Sequence, residues 1–118
     1  MASESGFQSF EEFWPYYLGE HRQATCRGLH YFGSTAGVSV AVTAIATAHF
    51  AFIPLGLLFG YGPAWIGHFF IEKNKPATFK HPLWSFMGDW KMLWYFVTGR
   101  IPSELARLEK TDFRFAAA

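Results

Sequence analysis

Charge is scarce in this chain. Lys, Arg, Asp and Glu together make up 16% of its 118 residues, against roughly 25% in soluble domains. Between Tyr31 and Ile71 there is none at all. The formal net charge is +1, and the basic residues neither cluster nor interleave with aromatics as nucleic-acid binders require, so no nucleic acid partner is expected. A single cysteine, Cys26, excludes an internal disulfide framework and any CxxC redox or metal motif. The opening stretch MASESGFQSFEEF is acidic and aromatic where a signal peptide would be basic and then apolar. The length suits one domain, 1–118, rather than two.

What is abundant is apolar and aromatic: 51% hydrophobic residues, 20% Phe, Trp and Tyr. The uncharged stretch exceeds one span of about 20 residues and fits two spans joined by a short turn. The expected fold is therefore all-α: a small integral membrane helical protein, a transmembrane hairpin flanked by amphipathic or interfacial helices. Ser9 and Glu12 form a capping-box pattern that opens an amphipathic helix over 9–22. Its Phe10, Phe13, Trp14, Tyr17 and His21 share one face, and Pro15 is expected to bend or break it. Span 1 is placed at 30–53 and span 2 at 55–73, with the turn near Pro54. Gly60, Gly62 and Pro63 predict a kink or unwound segment in span 2. The aromatic-rich 82–98 reads as an interfacial or third inserted helix, and a short helix follows over 102–110 with Pro102 at its first position. The expected turn carries no Lys or Arg, whereas Arg22, Arg27, Lys73, Lys75 and Lys80 flank the outer ends of the spans. Both termini are therefore expected in the cytoplasm, on the inner membrane in a bacterium or the endoplasmic reticulum in a eukaryote. Gly33, Gly37 and their small neighbours permit close helix approach, within the hairpin or in a homo-oligomer.

In such a hairpin His30 and His68 lie at the same membrane face, and Glu72 follows His68 at i,i+4. His21, at the end of the amphipathic helix, is close enough along the chain to join them. His49 stands about 28 Å along the helix from His30 and is excluded. His81 remains an extra ligand candidate or a supporting group. Two readings stay open from spacing alone. One is a metal site, because ionisable groups near a bilayer core are functional candidates. The other is a set of interfacial hydrogen-bonding histidines. Nitrogen and carboxylate donors suit non-haem Fe(II) and accept Zn²⁺ equally.

Two stretches, YYLGEHRQATCRGLHYFGST and GHFFIEKNKPATFKHPLWSFMGDWKM, carry a resemblance. The chain resembles the Mpo1-like membrane proteins (domain of unknown function 962) from about Phe10 to Met92, most specifically in GHFxxExNxPAT followed by P-x-W-S. The resemblance implies an integral-membrane, Fe(II)-dependent dioxygenase that uses O2 to shorten 2-hydroxy fatty acids by one carbon, as in fatty acid α-oxidation. It maps the iron ligands onto His21, His30 and His68. Glu72 is then a fourth ligand or the group orienting an imidazole, and Asn74 lies in the same motif. Cys26 departs from the Asn expected four residues before the second histidine. For the substrate, Arg22, Arg27 or Lys80 would pair the carboxylate, with His81 nearby, and the acyl tail would lie between the spans beside Gly37 and Ala41. The competing classes are a non-enzymatic membrane hairpin that scaffolds or oligomerises, and another metal-dependent lipid hydroxylase or hydrolase.

Overall fold

The computed structural model describes residues 7–76, 80–112 and 115. The loop residues Ala77–Phe79 and the terminal Ala116–Ala118 lie outside them, as do the first six residues of the opening stretch. Among the described residues the chain is all helical, as expected, with no strand. Its helices are α1 (Phe10–Gly19), α2 (Ala24–Ala46), α3 (Ile53–Ile66), α4 (Pro82–Val97) and α5 (Ile101–Thr111). A 3₁₀ turn, Phe50–Phe52, precedes α3, and a π-helical segment, Gly67–Glu72, continues it. The chain divides into two compact units, Gln23–Lys73 and the remainder.

The Gln23–Lys73 unit is a helical hairpin built on missing side chains. A Cβ on Gly33 would stand 2.6 Å from the Gly60 carbonyl oxygen, one on Gly37 2.8 Å from that of Gly56, and one on Gly56 2.9 Å from that of Gly37. Gly33, Gly37 and Ala41 on α2 thus face Gly56, Gly60 and Ala64 on α3, each set at four-residue steps. Small residues at this spacing let backbones touch, the contact that replaces hydrophobic exclusion where the surroundings are themselves apolar. The glycine face thus serves the hairpin itself, and one expectation is corrected: the helices leave no room between them for an acyl tail beside Gly37 and Ala41.

The element boundaries also differ from those read off the sequence. The first long helix opens at Ala24, not near His30, because the Glu72 carboxylate accepts the Gln23 backbone N–H at 2.5 Å and so satisfies a donor at the helix start. It ends at Ala46. The turn falls at Thr47–His49, with Ala48 in the left-handed region (φ 59°) and His49 N–H donating to the Ala44 carbonyl at 2.8 Å. Pro54 does not make the turn; it sits in the first turn of α3, where its missing N–H costs nothing. Pro63 lies inside α3, and the expected irregularity appears four residues later, in the π segment. That segment closes on Lys73 (φ 62°), whose N–H returns to the His68 carbonyl. The stretches Ala24–Ala46 and Phe50–Glu72 are each long and apolar enough to cross a membrane.

The second unit is aromatic and charged. Ser9 Oγ accepts the Glu12 N–H at 3.2 Å, but Glu12 turns to the Gln8 N–H instead of completing the box at Ser9. The helix α1 ends at Gly19, two residues before His21, and runs through Pro15 without breaking. It packs on α4, which is covered by Phe13, Trp14 and Tyr17. Trp14 Nε1 donates to Glu104 of α5 at 2.8 Å, and Arg107 forks onto the same carboxylate at 2.7 and 3.1 Å. Lys91 lies 4.3 Å above the Trp14 ring. The outer face of α4 exposes Leu83, Phe86, Trp94 and Phe96. With 16 residues, α4 reaches only about 24 Å, short of the roughly 30 Å of a hydrocarbon core.

Candidate functional site

Within the hairpin unit, α2 carries His30 and the π segment carries His68. Both are buried, and their rings meet edge to face with centroids 4.9 Å apart. Gly67 makes this approach possible, since a Cβ there would lie 2.8 Å from Cys26 Sγ. The π turn matters as well. Its wider winding (i→i+5) re-aims the side chains after Gly67, and such single turns occur frequently at functional sites.

The hydrogen bonding of the ring nitrogens decides what these imidazoles can do. His30 Nδ1 lies 2.9 Å from the Cys26 carbonyl oxygen. A carbonyl only accepts, so Nδ1 carries the hydrogen and Nε2 keeps its lone pair. The Cys26 thiol sits 3.8 Å from the same nitrogen. The backbone of Cys26 therefore performs the orienting role for which an Asn side chain was expected. His21, in the second unit, repeats the device: its Nδ1 is 2.7 Å from the Tyr17 carbonyl oxygen, again four residues earlier. His21 is completely buried and stacks on the Tyr17 ring at 4.2 Å. Metal-binding histidines commonly donate one ring N–H to a carbonyl or carboxylate in this way, which fixes the tautomer and the ring orientation. In the hairpin unit His30 and His68, and in the other unit His21, are buried imidazoles of a kind able to serve as metal ligands.

The remaining candidates divide by what they touch. Glu72 accepts the Gln23 N–H, while the Gln23 side chain donates to the Ile71 carbonyl at 3.0 Å. Arg22 donates to the carbonyls of Gly19 (3.1 Å) and Phe115 and lies over the Phe115 ring. Asn74 donates to the Glu20 carbonyl at 3.2 Å. Arg27, one turn before His30, reaches the Tyr31 hydroxyl. Lys80 is exposed. His81 precedes α4 and packs among Phe7, Phe13 and Trp84. His49 hydrogen-bonds Thr47 Oγ1 at 2.8 Å beside an open, largely apolar cavity of about 460 Å³.

Sequence reasoning missed the supporting groups. Tyr17 and Cys26 each stand four residues before a histidine, a spacing visible in the chain. But the group that acts is the backbone carbonyl, which every residue has, so no residue type announced it. Gly67 acts through absence, which only the neighbouring atoms reveal.

The family model described as "2-hydroxy-palmitic acid dioxygenase Mpo1-like" matches residues 7–101. No curated protein and no solved structure matches the chain.

Proposed function

The chain belongs to the Mpo1-like family, and from that premise we propose that it is an Fe(II)-dependent membrane dioxygenase that shortens 2-hydroxy fatty acids by one carbon. The observation that carries the reading is the paired preparation of His21 and His30, each buried with Nδ1 on a carbonyl four residues earlier. A carbonyl bond that fixes the tautomer and orientation of a buried imidazole is the usual support of a metal-ligating histidine.

In this reading the ligands are those the family resemblance implies, His21, His30 and His68, and Glu72 supports His30 within the hairpin by capping α2 at Gln23. Such a donor set suits Fe(II) with open positions. Iron, when bound, supplies the activation of O2 beside the substrate. The chain's own residues bind and orient. Arg27, three residues before His30 on the same helix side, is assigned to the substrate carboxylate because it lies nearest along the helix to a proposed ligand. The acyl tail runs along the outer apolar face, where Phe32, Phe69 and Phe70 are exposed.

Membrane insertion belongs to the same proposal. Only 22% and 17% of the two apolar windows are buried, which suits lipid-facing helices better than the core helices of a soluble protein. Both termini are assigned to the cytoplasm on the charge asymmetry given above.

The test is metal analysis of purified protein beside His68→Ala, with oxygen uptake on 2-hydroxypalmitate. Iron in the wild type, its loss in the variant and an acid one carbon shorter are expected. A wild type without iron, or equal iron in both proteins, would sink the proposal. Iron with a product of unchanged chain length would point instead to a metal-dependent hydroxylase or hydrolase.

A further inference from the structure

His21 follows the end of α1, where a side chain is least constrained by its own helix. Its surroundings nevertheless fix it. Trp14, Tyr17 and His21 lie at three- and four-residue steps and form a column of rings. Trp14 and Tyr17 are stacked at 5.8 Å and 17°, Tyr17 and His21 at 4.2 Å and 29°. The middle ring, Tyr17, is held from the far side by α4. A Cβ on Gly88 would come within 3.0 Å of three Tyr17 ring carbons, so α4 backbone lies directly against the ring. The next residue, Asp89, accepts the Tyr17 hydroxyl hydrogen through Oδ1.

Packing alone does not account for this arrangement. A phenylalanine would fill the same space and stack on His21 equally well. The hydroxyl and the carboxyl that receives it add a polar pair at the far end of the ring. Burial pushes that carboxyl up to about 7, so the site bears a desolvation cost that a Phe and an apolar partner would avoid. What the pair adds is direction, because a ring anchored at its para position no longer rocks. We propose that Tyr17, braced by Gly88 and Asp89, is a positioning residue that locks the His21 imidazole in its Nδ1–H form. This rests on the reading of His21 as a metal ligand, but the positioning is a property of the chain before any metal arrives.

The experiment uses the full chain in detergent micelles, metal-free and labelled with ¹⁵N in histidine. In the wild type the His21 Nδ1 resonance is expected in the protonated range. In Tyr17→Leu it should move toward the value averaged over both tautomers, and Asp89→Ala should move it partway. Asp89→Asn, whose amide oxygen still accepts the phenol hydrogen, should restore the wild-type spectrum. His30, held by Cys26, is the internal control and should stay in place. If Tyr17→Leu disturbs His30 as well, the variant has lost its fold and the Asp89 pair decides. A His21 resonance that is unchanged in Asp89→Ala, or equally shifted in Asp89→Asn, overturns the proposal. A second readout is Co(II) affinity, expected to fall about 10- to 100-fold in Tyr17→Leu, as for other partners of metal-bound histidines. A wild type that takes up no Co(II) would count against the metal reading alone, and the imidazole spectra would still judge the positioning.

Discussion

The two units of this chain solve the same problem, holding a histidine still, by opposite means. The Gln23–Lys73 hairpin removes side chains until backbone meets backbone, and charge is absent from its helical interface. The other unit stacks side chains, with Trp14, Tyr17 and Phe13 against α4 and a buried carboxylate, Glu104, joining α1 to α5. An imidazole beside a glycine contact is fixed because its helices cannot shift. One in an aromatic column is fixed because its neighbour cannot turn. The contrast predicts different weak points: added volume should break the first unit, and lost hydrogen bonds the second.

The largest effect is expected from Gly37→Leu, which drives a side chain into α3 backbone 2.8 Å from its Cβ. Overpacking against a main chain that cannot yield should cost about 3 kcal/mol or more, read as a lowered midpoint of reversible unfolding in mixed micelles. Gly60→Ala is the matched control, because its nearest neighbour is 3.8 Å away. If both variants unfold alike, the hairpin does not depend on backbone contact at the Gly37 face.

Next in size is Glu104→Ala, which leaves the buried Trp14 Nε1–H without an acceptor. The loss should be about 2 kcal/mol. Arg107→Ala should cost less than about 1 kcal/mol, since the Arg107 side chain is 58% exposed and its pair is screened by water. Equal losses would mean that the ion pair, and not the Trp14 bond, joins the helices.

The remaining effect is one of pH. Asp89 has a folded-state pKa raised from 3.8 to about 7 by burial, opposed by the Tyr17 hydrogen bond. A raised carboxyl favours the fold while protonated, so its contribution is full below about pH 4. It declines as the pH rises and is gone above about 7. The difference in stability between wild type and Asp89→Asn should therefore change in that window and be flat above it. A difference constant from pH 4 to 8 would show that the carboxyl titrates normally.

Much of this protein was legible before folding was considered. An uncharged run from Tyr31 to Ile71 is too long for one span, so two apolar helices and a turn follow from composition. His30 and His68 then fall at the same end, because antiparallel helices return to their starting level. The turn itself was misplaced at Pro54, since proline is as welcome in the first turn of a helix as in a loop. Glu72 was equally ambiguous as a bare carboxylate near two histidines. Only its position against the Gln23 N–H gave it a helix to cap and moved the start of α2 back to Ala24.

By itself, then, the sequence determined the helical class, the two apolar lengths and the histidines able to serve as ligands, because hydropathy and residue type are local properties of the chain. Tertiary structure alone decided which glycines are contacts, and that Tyr17 and Cys26 orient imidazoles through their carbonyls. It also decided that Asp89 braces a ring 72 residues away in sequence. Those are matters of which atoms meet. A backbone carbonyl or a missing Cβ looks the same at every position until the fold puts something against it.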